Sequence, residues 1–249
     1  VSYVGGYQGA PVSHLMDVLA DARELLDELG VHFEACANEA GAAAMLGASI
    51  NYPLRGAATW KSVVGTNVAS DALSNLSSAG VVGGAMIVIG EDYGEGASIM
   101  QKSQIWLLDP RPNLPSIVRM VEKGFALSEA SNTPVMLELR IRACHVHGSF
   151  ETKDNVAPRY SRRNPITKPV FNLERIPLPP HNYTQEKLKI DVRLPEALKF
   201  IQREQLNEFF PGDLRQVGIV LQGGLYNTTI RALQQLGLAD PYGASRIPL

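Results

Sequence analysis

Six short apolar runs separated by helical patterns and turns constrain this chain more than any other feature. They are Val1–Val4, Val31–Cys36, Ala57–Lys61, Ala85–Gly90, Ile105–Leu108 and Val135–Ile141. Runs this short and this apolar read as strands buried on both faces. From Val12 to Leu29, the residues Leu15, Val18, Leu19, Ala22, Leu25, Leu26 and Leu29 recur on one helical face, and Gly30 supplies the stop. Helices are predicted again over Glu39–Ile50, Asn67–Ser78 and Leu114–Ala130, the last with Ile117, Val118, Val121 and Phe125 inward. This βαβα order predicts an α/β fold: a mostly parallel sheet with helices on both faces.

The alternation covers residues 1–150. Residues 151–184 change character: Pro158, Pro165, Pro169, Pro177, Pro179 and Pro180 stand among polar and basic residues, as in an extended linker. Arg159, Arg162 and Arg163 in that stretch are either an anion site or a solvated face. Residues 185–249 predict a helix from Pro195 to about Leu206. A buried strand Val217–Leu221 follows, then a glycine turn and a helix from Tyr226 to about Leu236. This is the opening β-turn-α unit of a second α/β domain, too small to bury its own core. The strand-like run at Val1–Val4, the lack of an initiator Met and the strand-like end Arg246–Leu249 read as a piece of a longer polypeptide.

Composition narrows the function. Charged residues make up 19% of the 249 residues, below the roughly 25% of an ordinary soluble domain, and 45% are hydrophobic. That suits a wide core or burial against other subunits. A net charge of −2 argues against a nucleic-acid partner. Cys36 and Cys144 form no C-x-x-C pair, so iron–sulfur and zinc sites are not expected within the chain, and the thiols read as reduced and cytoplasmic. No apolar run approaches the ~20 residues needed to cross a bilayer, and no signal peptide is visible, so no membrane association is expected.

Three turns stand out by their Gly, Ser and Asn content: residues 5–13, 36–41 and 61–67. All follow predicted parallel strands, so they meet at the sheet end where such folds bind ligands. The first, Gly5-Gly6-Tyr7-Gln8-Gly9-Ala10-Pro11, is neither a Walker loop nor a G-x-G-x-x-G fingerprint. The second sets Glu39 at the start of a helix of small residues, Ala40 to Ala44. Taken alone, Glu39 is a cap-region acid after Asn38. With the other turns beside it, and small side chains behind it to admit a bulky group, it reads as an acid aimed at a bound heterocycle. The third turn offers Ser62, Gly65, Thr66 and Asn67 at a helix start. Glu91-Asp92-Tyr93-Gly94-Glu95-Gly96 lacks calcium-loop spacing and reads as a mobile acidic loop. His145 and His147 alternate after a strand, without an evident third metal ligand.

Gly6-Tyr7-Gln8-Gly9-Ala10-Pro11, Asn38-Glu39-Ala40-Gly41-Ala42, Lys61 with Gly65-Thr66-Asn67-Val68-Ala69-Ser70-Asp71, and Gly90-Glu91-Asp92 occur in that order. Together they resemble the pyrimidine-binding domain of thiamine diphosphate-dependent 2-oxoacid:ferredoxin oxidoreductases, nearest the large subunit of the indolepyruvate type. The resemblance implies a pyrimidine-binding domain over 1–150, a Pro-rich linker over 151–184, and over 185–249 a linker helix with an incomplete transketolase C-terminal-like domain. It implies that Glu39 hydrogen-bonds and activates the cofactor's aminopyrimidine, with Tyr7, Gly9, Pro11, Ser62, Gly65 and Asn67 lining the cofactor site. It further implies oxidative decarboxylation of a 2-oxoacid, indolepyruvate or an arylpyruvate, to an acyl-coenzyme A, with ferredoxin as acceptor. The Mg and diphosphate ligands and any iron–sulfur clusters would then lie outside this chain, on other segments or subunits of a homo-oligomeric enzyme.

The chain departs from that pattern at Ala10, where many relatives carry a hydroxyl that can contact the substrate carboxylate. The Lys61–Gly65 turn is one residue longer than in many relatives. Near Met100-Gln101-Lys102 relatives carry a longer polar loop, whereas here the chain passes directly from Gln101 to Lys102, so either the loop is shorter or residues are missing between them. The alternatives are a non-catalytic domain of the same fold within a larger complex, and a non-oxidative thiamine diphosphate decarboxylase.

Overall fold

A computed structural model describes residues 1–92 and 104–249. The loop departure near Gln101 and Lys102, and Tyr93–Gly96 of the acidic stretch, lie outside the described residues. All six expected strands form: β1 Tyr3–Gly6, β2 His32–Ala35, β3 Gly56–Lys61, β4 Ala85–Glu91, β5 Trp106–Leu108 and β6 Val135–Arg140. They make one sheet in the order β2-β1-β3-β4-β6-β5, with every pairing parallel. Every residue of central β4 is buried, whereas edge strand β2 is partly open. A β4 of Ala, Met, Ile and Val is what a strand covered on both faces requires.

The helices form where expected but are more broken. The first is two segments, α1 Ser13–Asp21 and α2 Arg23–Leu29, ended by Gly30 in the left-handed region at φ 72°. The expected inward face is divided at Ala22, and Val18 and Leu25 stand exposed at 62% and 42%. The second is α3 Glu39–Met45 and α4 Ala48–Asn51; the third is α5 Val64–Val68 and α6 Ser70–Ala79. The fourth, α7 Leu114–Ser131, is intact, with the Asn113 side chain accepting from the Ser116 N–H at 3.0 Å. One face of the sheet packs Trp60, Ile87, Ile89 and Met136 against Ala42, Leu46, Leu73 and Leu76 of α3 and α6. The other packs Met86, Val88 and Leu137 against Leu15 of α1 and Met120 and Phe125 of α7. Each such side chain contributes about 1.5–3 kcal/mol by leaving water, so the two layers fix the sheet and its edges.

After β6 comes a single turn, α8 Ile141–Cys144. The Pro-rich stretch then runs along the amino-terminal edge of the sheet. Ser2 Oγ donates to Tyr160 O at 2.6 Å, Arg162 N donates to Gly30 O at 2.9 Å, and Asn172 N donates to Asn51 Oδ1 at 2.8 Å. Of its arginines, Arg162 pairs with Asp27 and Arg159 lies over the Tyr160 ring. A helix, α9 His181–Leu188, begins before the expected end of the linker, and a π turn Lys189–Arg193 leads into α10 Leu194–Arg203. Buried Arg193 donates to the carbonyls of Ser77, Ser78 and Ala79 at 3.1–3.3 Å. A cation there satisfies the carboxyl end of α6.

The expectation of a buried strand at Val217–Leu221 is corrected. Val217 and Val220 are 56% and 103% exposed, and the segment joins no sheet. Its backbone turns instead to the strand-like chain end, Ile219 N donating to Pro248 O at 2.9 Å; upstream of the segment, Phe210 and Leu249 exchange two bonds at 3.0 Å. A β run needs a neighbouring strand to satisfy its N–H and C=O groups, and among the described residues only the 246–249 end lies against this one. The glycine turn and the helix after it, α11 Tyr226–Gln235, form as expected.

Candidate functional site

Because all strands are parallel, Gly6, Ala35, Lys61, Glu91 and Arg140 end at one edge. From β1 the chain passes to β2 on one side and then crosses back to β3 on the other. This reversal is the switch point at which open α/β sheets bind ligands.

Glu39 sits on the rim of that crevice as the first residue of α3, only 9% exposed. Asn38 holds the helix start, its Oδ1 accepting from Gly41 N at 2.8 Å. Glu39 therefore has no capping duty, and among the described residues no hydrogen-bond or ion-pair partner meets its carboxylate. Gly65 lies against it. A carbon added at Gly65 would stand 2.9 Å from Glu39 Oε1 and 2.8 Å from Trp60 Cδ1. The Trp60 indole is fixed in turn by donating to Thr66 Oγ1 at 3.1 Å. Of the small residues behind Glu39, Ala42 and Ala43 are buried in the core, bringing α3 close to α6, while Gly41 and Ala44 stand exposed.

The other expected residues fall into two groups. Gly9 and Pro11 are drawn onto the strand ends. A carbon at Gly9 would lie 2.6 Å from Lys61 Cβ, and one at Gly90 would lie 2.9 Å from Pro11 Cδ. Ser62 follows β3 directly. Its N–H donates to Gly90 O at 2.8 Å, and its side chain is wholly buried with no hydrogen-bond partner for Oγ. Tyr7 and Asn67 face outward; Tyr7 N donates to Thr59 O at 3.0 Å, and its side chain is 42% exposed. Val64 and Val68, one helical turn apart beside Asn67, are 56% and 53% exposed. The structure thus joins Glu39 to Gly65 directly and Gly9 to Lys61, and leaves Tyr7 and Asn67 on the open side.

Two constellations at this edge are absent from the sequence reading. Lys61 Nζ lies 2.6 Å from Asp92 Oδ2, linking the ends of β3 and β4. Further along, Arg140 meets three buried acids: Asp109 Oδ2 at 3.0 Å, Glu138 Oε1 at 3.0 Å and Glu91 Oε2 at 3.3 Å. It also donates to Gln222 Oε1 at 2.7 Å, while Asp109 accepts from Gly224 N at 2.9 Å. Burial, then the neighbouring Glu91, pushes the Glu138 carboxyl up to about 9, so Glu138 keeps its proton at neutral pH. Burial raises Asp109 too, with Arg140 opposing. Glu91 is therefore a buried strand residue and not part of a mobile acidic loop. The signal was available: two charges, Glu138 and Arg140, interrupt an otherwise apolar strand on the same face. His145 and His147 are both exposed, and no group of three metal-ligating side chains occurs among the described residues. Nor is any helix among them long and apolar enough to cross a membrane.

No family model matches the chain. Among curated proteins it is 26% identical over 253 residues to the indolepyruvate oxidoreductase subunit IorA of Methanothermobacter marburgensis, covering 97% of this chain and 39% of that protein. The IorA subunit of Archaeoglobus fulgidus is 28% identical over 255 residues, with the same coverage. The chain therefore spans about two fifths of the length of the curated relatives it matches. Among solved structures, a 2-oxoglutarate:ferredoxin oxidoreductase from Magnetococcus marinus aligns with a TM-score of 0.63 at 15% identity, over 100% of this chain and 50% of that one. That likeness shows a common fold. The resemblance carried by the turns around Glu39 is borne out: nearly the whole chain is similar to IorA subunits of indolepyruvate oxidoreductases, and its sheet is built as in a 2-oxoglutarate:ferredoxin oxidoreductase.

Proposed function

We propose that this chain is the aminopyrimidine-activating part of a thiamine diphosphate-dependent 2-oxoacid:ferredoxin oxidoreductase acting on indolepyruvate or a related arylpyruvate. The single observation that carries the reading is Glu39: a nearly buried carboxylate at the ligand-binding edge of the sheet, relieved of capping by Asn38 and met by no partner among the described residues. Unpartnered buried acids are costly, and a ring nitrogen able to share a proton would complete this one.

The residues present fit an aminopyrimidine. Gly65 leaves the Glu39 side chain room to lie along α5, and a side chain there would push the carboxylate aside. Trp60, locked by Thr66, forms the wall behind it. Gly9 and Pro11 bring the first turn over the ends of β3 and β4, and Tyr7 and Asn67 face the open side where the ring would enter. Ser62 holds the turn through its backbone N–H, which donates to Gly90 O. When bound, thiamine diphosphate supplies the electron sink for decarboxylation; the protein supplies orientation and electrostatics. Glu39 holds a proton between its Oε atom and the ring nitrogen, the task of a positioned general acid–base. In this reading residues 1–150 are the pyrimidine-binding domain, 151–184 the linker and 185–249 the start of the next domain. The diphosphate, Mg and iron–sulfur sites belong to other segments or subunits, as do the contacts with coenzyme A and ferredoxin. The exposed Val64 and Val68 beside Asn67 suit burial against another subunit or copy.

The test is Glu39→Gln in the intact, cofactor-loaded enzyme, assayed with indolepyruvate and a low-potential dye. Turnover is expected to fall by roughly 100-fold or more. Turnover near that of the unaltered enzyme sinks the role of Glu39.

A further inference from the structure

Glu39 and Lys61 flank the end of β3 from opposite faces of the sheet. Side chains alternate along a strand. Trp60 packs with Leu46 and Leu73 on the face of α3 and α6, so Lys61 belongs to the face of α1. The first turn crosses between them. Its Tyr7 N–H bonds Thr59 O, and Gly9 sits so close to Lys61 Cβ that no side chain fits there. A ligand at the switch point beside β3 thus has an acid on one side and a cation on the other.

The two cations at the strand ends are held differently. Arg140 is committed to three buried acids and Gln222, and its side chain is 21% exposed. The Lys61 ammonium lies 2.6 Å from Asp92, with the two side chains 27% and 34% exposed. Lysine is a point charge on a flexible stem and exchanges one anion for another without a fixed geometry.

We propose that Lys61 receives the carboxylate of the 2-oxoacid and that Asp92 is the carboxylate it gives up in exchange. This rests on the thiamine diphosphate reading above. The substrate carries one fixed negative charge, next to the carbonyl carbon that reacts. While that charge is present, Lys61 anchors it. When the C1–C2 bond breaks, the electron pair stays on the C2 side and the carboxylate leaves as neutral carbon dioxide. The anion is then gone, and Asp92 takes back the ammonium. Asp92 thereby holds Lys61 in place between turnovers.

The experiment uses the intact enzyme loaded with thiamine diphosphate. Indole-3-lactate, a carboxylate without the 2-oxo group, is titrated calorimetrically, and KM and kcat are measured with indolepyruvate. Loss of a charged hydrogen bond predicts that Lys61→Met weakens the Kd of indole-3-lactate and raises KM by roughly 10- to 100-fold. The Kd of thiamine diphosphate should stay within about threefold, and kcat should fall less than KM rises. Lys61→Arg should restore most of the affinity. Asp92→Asn should tighten the analogue, because it removes the competing anion. Unchanged Kd and KM in Lys61→Met overturn the proposal. So does equal weakening of analogue and cofactor, which marks a structural pair. A single pair about one third exposed adds little stability, so the variants are expected to fold. The parent reading fails separately, through unaltered turnover of Glu39→Gln or an enzyme that binds no thiamine diphosphate.

Discussion

Glu39 and Glu138 are both buried acids near the same edge of one sheet, 9% and 1% exposed, yet they are housed in opposite ways. Glu138 lies among Arg140, Glu91 and Asp109, with the 222–224 turn closing over them through Gln222 and Gly224. Its cation is supplied from within the chain. Glu39 has a capped helix start, a glycine and an indole around it, and among the described residues nothing that answers its carboxylate. An enclosed ionic cluster ties elements together, because removing one member strands the others. An acid left unanswered at a strand-end crevice is kept for something that arrives.

The contrast breaks first at Arg140. Arg140→Met should leave three buried carboxyls without their cation and cost about 3–5 kcal/mol of stability, as for other broken buried pairs. Chemical denaturation reads this directly; a loss below about 1 kcal/mol would show that the cluster binds nothing together. Glu39→Gln should do the reverse. Turnover falls, by about 2.7 kcal/mol or more of barrier for the 100-fold loss proposed above, while the denaturation midpoint hardly moves. Gly65→Ala sharpens the geometry. A methyl 2.9 Å from Glu39 Oε1 and 2.8 Å from Trp60 should cost about 1–3 kcal/mol by overpacking. It should also lower turnover by roughly tenfold, a displacement penalty smaller than that for removing the acid. Full activity in Gly65→Ala would detach Gly65 from the site.

The comparison is sharpened further by pH. Glu138 has its carboxyl raised from 4.5 to about 9. Between those values the folded chain keeps a proton that the unfolded chain gives up, so the folded state binds more protons. Stability therefore falls as pH rises through that window, and the loss is complete once Glu138 ionises above about 9. Glu138→Gln, neutral at every pH, should flatten this slope when midpoints are compared from pH 5 to pH 9. A slope unchanged by the substitution would assign it to other groups.

Much of this arrangement was legible beforehand, for reasons visible in particular residues. The strands were readable because Ala85–Glu91 and Val135–Arg140 are apolar enough to be covered on both faces. Glu39, Gly9 and Gly65 were readable because a parallel sheet sends every strand's following turn to one edge. Lys61 with Asp92, and Arg140 with Glu91 and Asp109, were not. Their partners come from strands adjacent in space but separated by 31 residues or more in sequence. The 217–221 run failed for a related reason: its sequence is that of a strand, but strand formation is a property of pairs.

The sequence by itself determined the period of each element, the direction of the sheet and the placing of an acid at a helix start. Those follow from side-chain spacing and local capping, which act within a few residues. Only the tertiary structure decided which acids are answered and which is left open. Desolvation and Coulomb partnership depend on what other strands and turns bring to within about 4 Å. Asn38 frees Glu39 from capping, Gly65 makes room beside it, and no described side chain closes on its carboxylate.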